Sequence, residues 1–334
     1  MTSQTLVTVA IPSYNAAATL ASALDSLLAQ THTNLQIVVI DDGSRDATKD
    51  VLAAYADRVQ SSHQANAGLA NARNAGVRRA HGNYIALMDA DDLCRPERIA
   101  IQLAYLEAHP DVVLCSSDFS GFNEHGALPG VSLQSYYSCL AELPEGLASV
   151  YPVSEAMHFG ARSIAARRGN VYDTIALGNF VHPPTIMFRR TLIERCGNFD
   201  ESIANMCDHD WLVRASRCGE FAVIQAPLLD YRISAQQLSG ARNRVQVTID
   251  NALVLQKTCR DDPDLVQRHG ETLRRLLGTA FLDAADALSD RQTSAALRML
   301  LRASAHGALN LRTLKVLAKS FIPFALLSSL RGQR

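Results

Sequence analysis

The sequence lacks several features that define common protein classes. Its 7 cysteines are scattered without a CxxC pair, which argues against both a disulfide framework and a zinc site. No apolar run reaches the roughly 20 residues that a membrane-spanning helix needs. The first residues, MTSQTLVTVAIP, have neither the basic segment nor the apolar core of a secretory signal. We therefore expect reduced thiols and a cytoplasmic location.

An excess of charge of either sign is also missing. Lys and Arg total 32 against 33 Asp and Glu, which gives a net charge of -1. The chain as a whole thus has no electrostatic attraction for nucleic acid, and we expect no nucleic-acid partner. Neither a P-loop GxxxxGK nor a GxGxxG occurs, which excludes the usual ways in which an α/β protein binds a nucleotide.

What is present is the composition of a globular protein. With 334 residues, 48% of them hydrophobic, the chain is long enough for roughly two units. Strands that are apolar on both faces and alternate with helices are typical of a parallel sheet covered on both sides, so we predict an α/β, doubly wound architecture. The pattern predicts strands at residues 6–11, 37–40, 59–62, 84–88 and 112–115, and helices at 69–80 and 96–108.

Polar segments stand where three of these strands end. They are residues 12–15, 41–44 and 89–92. Because ligands of such sheets bind beyond the carboxyl ends of the strands, we expect the three segments to contribute to one site. Ser44 is also a suitable cap for the helix that follows it.

The segment LMDADDL, residues 87–93, concentrates negative charge behind a strand. Asp89, Asp91 and Asp92 repel one another unless a cation or a set of donors lies nearby, and Mg²⁺ or Mn²⁺ prefers oxygen ligands. Mg²⁺ is commonly held by one or two carboxylates together with substrate phosphates, so the segment predicts a metal and a phosphorylated substrate. The alternative is that Asp92 caps the next helix and the other two are solvated.

The order of the motifs resembles that of the family 2 glycosyltransferases of the GT-A fold. The resemblance spans about residues 5–240, and its elements are VTVAIPSYNAAATLASALDSLLAQTHTNLQIVVIDDGSRDAT, NAGLANARNAGVRRAHGNYIALMDADDLCRPER, FRRTLIERCGNFDES with DHDWLVRAS, and YRISAQQLS. It implies a GT-A domain over residues 1–240, with a nucleotide-sugar-binding half at about 1–120 and an acceptor-binding half at 121–240. The leucine spacing beyond it predicts a helical C-terminal region at 241–334.

The resemblance assigns a nucleotide pocket to the first two loops. Pro12, Tyr14 and Asn15 would line it, and Asp42 would accept a hydrogen bond from the imide N–H of a pyrimidine base. The alternative for Asp42 is turn and capping chemistry before Gly43.

The resemblance also supplies a phosphate and metal site. Asp91 would hold Mn²⁺ or Mg²⁺, with Asp89 beside the metal or the ribose, and Arg73 would face the base or the phosphates. An exposed helix arginine is the alternative for Arg73. Arg232 would contact the diphosphate within the segment 231–239, which in the family closes over the donor.

Inverting transfer needs a base within about 3 Å of the acceptor hydroxyl. The family supplies it from a Glu–Asp pair, for which this chain has Cys207 and Asp208. We expect Asp208 to be the base, with Asp210 as the second candidate, although either could simply stabilise the start of a helix. His209 is expected to be a neighbour and not a metal ligand. The altered pair leaves a second function open, a catalytically impaired scaffold that binds nucleotide sugar.

Two regions leave alternatives open. Between residues 130 and 182, four residues either face the acceptor or, as the pattern favours, are ordinary core and interface residues: Tyr136, Tyr137, His158 and Arg162. His182 is expected to be structural. The basic segment from residue 309 onward could lie on an anionic membrane or bury its apolar face in the protein.

The expected reaction is metal-dependent transfer from a nucleotide-diphosphate sugar, UDP-linked, to a glycan or lipid-linked acceptor in cell-surface polysaccharide synthesis at the inner face of the membrane.

Overall fold

The computed structural model describes residues 5–234, 243–289 and 292–321. The chain divides into two compact units, one of Met1–Ser202 with Cys207–Ser234 and one of Ile203–Met206 with Ala235–Arg334. The first unit holds the sheet and the second is helical.

An 11-stranded sheet forms the first unit. In chain order its strands are β1 (Val7–Ser13), β2 (Leu35–Asp41), β3 (Gln60–His63), β4 (Tyr84–Leu87), β5 (Leu93–Cys94), β6 (Val112–Asn123), β7 (Gly126–Leu128), β8 (Val153–Phe159), β9 (Arg162–Gly169), β10 (Met187–Arg189) and β11 (Glu220–Arg232). Across the sheet the order is β3-β2-β1-β4-β10-β6-β11-β9-β8, with β5 paired to β11 and β7 to β6.

Strand direction determines which loops share an edge. Strands β1 to β4 of the main path are parallel, β10 runs antiparallel between β4 and β6, and β11 is parallel to β6. The carboxyl ends of β1, β2, β4, β6 and β11 therefore lie at one edge, and the amino end of β10 lies there too. The predicted α/β fold is confirmed, as a mixed and mostly parallel sheet.

Helices cover the sheet because their apolar residues recur at helical spacing. In α1, Leu20, Ala23, Leu24 and Leu27 are all buried, which is the i, i+3, i+4, i+7 stripe of one helix face. The helices of this unit are α1 (Leu20–Leu28), α2 (Thr48–Ala54), α3 (Leu69–Arg78), α4 (Arg98–Ala108), α5 (Leu133–Tyr136), α6 (Ser138–Ala141), α7 (Leu147–Val150), α8 (Tyr172–Leu177), a 3₁₀ turn (Pro183–Thr185), α9 (Thr191–Cys196) and α10 (Cys207–Ser216).

Two local predictions are wrong. Ser44 does not cap α2, which begins at Thr48; its Oγ instead accepts a hydrogen bond from the backbone N–H of Asn15 at 2.8 Å. The strand expected to end at Cys115 continues to Asn123, although polar serines follow. The Ser116 hydroxyl donates to the Ala222 carbonyl of β11 at 3.2 Å, so a polar side chain is satisfied inside the sheet.

The second unit consists of four helices among its described residues: α11 (Arg244–Asp261), α12 (Pro263–Leu288), α13 (Thr293–Ala305) and α14 (Leu311–Lys319). Leu255, Leu277, Phe281 and Leu300 are among the residues of its core. Asp262 caps α12 by accepting from the backbone N–H of Leu265 at 2.9 Å. In the ranges that the structure describes, no helix is long and apolar enough to cross a membrane.

Candidate active site

The loop after β2 is tied to the loop after β1. Asn15, with a φ of 50°, donates from its backbone N–H to the Ser44 hydroxyl oxygen at 2.8 Å, and its own Oδ1 accepts from the Arg45 N–H at 2.8 Å. These bonds fix the segment in which Tyr14 stands 49% exposed. An exposed ring on a fixed loop is available for stacking, and the pocket wall of Pro12, Tyr14 and Asn15 stays a prediction.

Asp42 is buried and its carboxylate is already engaged. Its Oδ1 accepts from the Gln64 side chain at 2.8 Å and the Ala67 N–H at 2.9 Å, while Oδ2 accepts from the Gly68 N–H at 2.9 Å. These three donors come from the segment that leads into α3. The first role of Asp42 is therefore to hold that segment, and the predicted bond to a base requires its one remaining acceptor position.

Gly43 makes this arrangement possible and supplies a stability prediction. It has a φ of +78°, and a Cβ there would lie 2.7 Å from the Asn66 backbone nitrogen. Gly43→Ala is expected to cost about 1 kcal/mol for the backbone conformation and a further 1–3 kcal/mol, roughly, for the clash. Gly130→Ala is the matched control, since it has a φ of +80° and nothing within 4 Å. Urea unfolding of both variants checks this, and equal losses would contradict the clash.

The acidic loop after β4 holds three carboxyl groups whose ionised forms are disfavoured by burial. Asp89 lies 3.5 Å from a terminal nitrogen of Arg73, whose side chain is buried in α3. Burial raises the pKa of Asp89, with Arg73 opposing and Asp208 adding to the shift. Burial and the charge of Asp89 raise the pKa of Asp91 to about 6. Asp92 is fully buried, and burial and its two acidic neighbours raise its pKa well above the ordinary value.

Arg232, at the end of β11, holds this loop through two hydrogen bonds. Its backbone N–H donates to Asp92 Oδ1 at 2.9 Å and its Nε to the Asp91 carbonyl at 2.8 Å. Asp92 does not cap α4, whose N-cap is Glu97. Of the predicted closing segment, residues 235–239 lie outside the described residues, and phosphate contact by Arg232 stays a prediction.

The start of α10 faces the same cluster. Arg73 lies 3.9 Å from the sulfur of Cys207 and interacts electrostatically with Asp89 and Asp208. Cys207 is fully buried, and burial raises the pKa of its thiol to about 12, so it supplies no charge in place of the family's Glu. Asp208 is half-buried in the first turn, where the helix dipole favours a carboxylate.

The second base candidate has a structural partner. Asp210 is 4% exposed and accepts from Arg214 at 2.8 and 3.0 Å. Arg214 also donates to the Asn198 carbonyl at 2.8 Å, so the pair ties α10 to the preceding loop. His209 is buried with Nε2 2.7 Å from the Ile175 carbonyl. The geometry therefore favours Asp208 over Asp210 as the base.

A cluster of aromatic side chains adjoins the carboxylates of the site. His182 stacks on Phe119 with ring centroids 4.3 Å apart, its Nδ1 lies 3.2 Å from the Tyr137 hydroxyl, and the Tyr136 hydroxyl lies 3.2 Å from that of Tyr231. The charge of Asp208 acts on Tyr137, and Asp89 and Asp92 act on Tyr231, so the cluster adjoins the carboxylates. The adjacent tyrosines in the sequence were the available signal; the antiparallel β10, which brings His182 to this edge, had none.

Two other acceptor candidates lie elsewhere. His158 and Arg162 stand on the exposed β8–β9 hairpin, where Arg162 forms an ion pair with Glu97. The structure does not place them in the aromatic cluster.

The environment of His182 makes a pH prediction. Burial, with Arg73 and Arg98 nearby, lowers its pKa from 6.5 to about 3. Between pH 6.5 and about 3, His182 is protonated in the unfolded chain but stays neutral in the folded one. Its contribution to the free energy of unfolding is therefore fully present above pH 6.5 and is lost as the pH falls toward 3. The slope from this group is about 1.4 kcal/mol per pH unit. Urea unfolding of His182→Gln should show a flatter acid limb, and exposed His158→Gln an unchanged one; parallel limbs for His182→Gln and wild type would refute the assignment.

Comparison with known proteins finds relatives among glycosyltransferases. Residues 8–159 match the family described as Glycosyl transferase family 2. An uncharacterized glycosyltransferase of Rickettsia prowazekii is 26% identical over 238 residues, which is 70% of this chain. The chain spans 66% of the length of that relative.

Solved structures share the fold. TarS of S. aureus in complex with UDP has a TM-score of 0.58 at 16% identity, covering 98% of this chain and 92% of that one. A mannosyltransferase of Pyrobaculum calidifontis in complex with GDP-Man and Mn²⁺ has a TM-score of 0.57 at 20% identity, covering 99% and 85%. Residues 8–159 of this chain therefore match glycosyl transferase family 2, and the chain has the GT-A fold of these solved structures.

Proposed function

We propose that this chain transfers a sugar from a UDP-sugar to a hydroxyl of a glycan or lipid-linked acceptor, with inversion at the anomeric carbon. The observation that carries the proposal is the convergence of Asp89, Asp91, Arg73 and Asp208 at one edge of the sheet. We assign the donor half to about residues 1–120, the acceptor half to 121–240 and the helical region to 241–334. Cell-surface polysaccharide synthesis at the inner face of the membrane is the proposed setting.

Asp208 is the proposed base. It stands at the start of α10, which Trp211 anchors by stacking on Phe199 at 4.9 Å and donating from Nε1 to the Gly197 carbonyl at 3.0 Å. A rigid helix start holds the carboxylate in one place, which is what proton removal from an acceptor hydroxyl requires. The adjoining tyrosines offer a ring surface for the acceptor, with Tyr136 38% exposed.

The residues present fit a divalent cation completed by substrate. No group of three or more His, Cys, Asp or Glu with metal-binding geometry occurs within the described ranges. Asp91, with Asp89 beside it, supplies the one or two carboxylates that Mg²⁺ or Mn²⁺ needs when phosphates and water complete its shell. Burial and the charge of Asp89 raise the pKa of Asp91 to about 6, and a bound cation would stabilise the ionised carboxylate against both effects. When bound, the ion would neutralise charge on the departing nucleoside diphosphate.

Nucleotide binding tests the donor assignment. Calorimetric titration with UDP and with GDP, each with Mn²⁺, is expected to show preference for UDP. Tyr14→Ala should weaken UDP binding by about tenfold if the exposed ring stacks on the base, whereas Tyr14→Phe keeps the ring and should bind as wild type does. Preference for GDP would overturn the UDP assignment, and equal affinity of Tyr14→Ala and wild type would remove Tyr14 from the pocket.

A further inference from the structure

Charge is strongly segregated along the chain. Residues 291–334 contain 8 Lys and Arg and no Asp or Glu. All 33 acidic residues precede position 291, alongside 24 Lys and Arg, so the first 290 residues carry a net charge of -9. A near-neutral total thus conceals a C-terminal stretch of net charge +8. Such an asymmetry predicts attraction of this end to an anionic surface.

Within this stretch, α14 is oriented by its own unit. Thr313 and Val316 are buried, and Val316 belongs to the core formed with α11, α12 and α13. Asn310 fixes the helix start by accepting from the backbone N–H groups of Arg312 and Thr313 at 2.9 and 3.1 Å. The buried stripe and the cap determine which residues of α14 point outward.

The outward residues form a second apolar surface, here called the leucine face. Of the apolar residues of α14, only Val316 lies in the buried stripe. The leucine face consists of Leu309 (74% exposed), Leu311 (76%), Leu314 (62%), Leu317 (39%) and Phe321 (66%). Several large apolar side chains exposed on one short helix and at its ends are typical of a binding surface.

The cations of α14 lie between its buried stripe and Leu311. At 100° per residue, Lys315 stands next to Leu311 at the border of the leucine face, whereas Arg312 and Lys319 stand on the side away from Leu314 and Leu317. Arg312 and Lys319 form ion pairs with Asp283 and Asp286 of α12, and Lys315 is exposed. An exposed apolar face with a cation at its border is typical of helices that lie in a membrane interface.

We propose that α14 docks on the surface of an anionic membrane, with the leucine face among the acyl chains and the exposed Lys315 at the headgroups. A protein partner would match the leucines but would not account for 8 cations without one acidic residue. The sequence that follows, IPFALLSSLRGQR, continues with apolar residues and two more arginines. The proposal rests on the proposed function only for its purpose, which is to bring the enzyme to a lipid-linked acceptor; binding itself needs no turnover.

Vesicle flotation of the full chain tests the docking. Wild type is expected to float with phosphatidylcholine–phosphatidylglycerol vesicles, more weakly with phosphatidylcholine alone, and less as salt is added. Leu314→Ser should weaken binding to the mixed vesicles by about tenfold, and Lys315→Glu by a similar factor, on the order of tenfold. Their controls are Leu253→Ser, at a 40% exposed leucine of α11, and Lys49→Glu on α2, and both should float as wild type does.

Two results would contradict the docking of α14 on a membrane. No flotation of wild type with mixed vesicles would overturn the proposal, as would equal losses in variants and controls. A change in oligomeric state of Leu314→Ser by light scattering, without vesicle binding by wild type, would assign the leucine face to a second copy of the chain. UDP binding measured on the same samples separates failed docking from failure of the proposed function.

Discussion

Asp208→Asn is expected to lower sugar transfer by a factor on the order of 10²–10⁴, the range that general-base catalysis contributes. Asn keeps the size and the position at the start of α10 but cannot take a proton. UDP affinity should stay close to that of wild type, because the base acts on the acceptor. Initial rates of acceptor-dependent UDP release, with calorimetric titration of UDP, measure both quantities.

Asp210→Asn is the matched control for this variant. It stands two residues away on the same helix, but its carboxylate pairs with Arg214 at 2.8 Å. We expect it to lower stability by about 3 kcal/mol, since a buried pair loses one partner, while folded protein retains turnover. Loss of turnover in Asp210→Asn with full turnover in Asp208→Asn would exchange the two roles.

Asp91→Ala is expected to lower metal-stimulated turnover by roughly 10²-fold, about 3 kcal/mol of charge stabilisation on the leaving diphosphate. The effect should appear in turnover as well as in donor affinity, because the charge develops as the sugar departs. Titration with Mn²⁺ at saturating UDP-sugar is the measurement.

The control for Asp91→Ala is Asp57→Ala. The Asp57 side chain is 77% exposed, and its ion pair with Arg58 lies on the surface. This variant should keep the Mn²⁺ response of wild type. A metal response in Asp91→Ala equal to that of Asp57→Ala would remove Asp91 from the cation site.

The N-terminal part of the sheet was predictable because its signals are local. Strands β1, β2 and β4 are mainly apolar and are followed by polar residues, so the edge at which Asp42, Asp89 and Asp91 lie follows from strand direction. The sequence pattern did not predict the hydrogen-bond partners of those side chains. Asp42 accepts three hydrogen bonds from residues 64–68, and this depends on a loop conformation that composition does not encode.

The rest of the first unit was less predictable because its contacts are long-range. His182 reaches the site through β10, a strand of three residues inserted antiparallel between β4 and β6. A strand that short has no periodicity to detect. Tyr231 lies 95 residues from Tyr136, yet their hydroxyls are 3.2 Å apart. Likewise, the pairing of Asp210 with Arg214 separates it from Asp208 only once the helix is packed.

The most direct test of the account measures UDP release from a panel of UDP-sugars, with and without Mn²⁺ and with membrane lipid extract as acceptor. Wild type, Asp91→Ala and Asp208→Asn are compared. We expect release that depends on Mn²⁺ and on Asp91, with an acceptor-stimulated part that Asp208→Asn lacks. If wild type binds UDP-sugars but releases no more UDP than the variants do, the chain is a nucleotide-sugar-binding scaffold and the catalytic account is wrong.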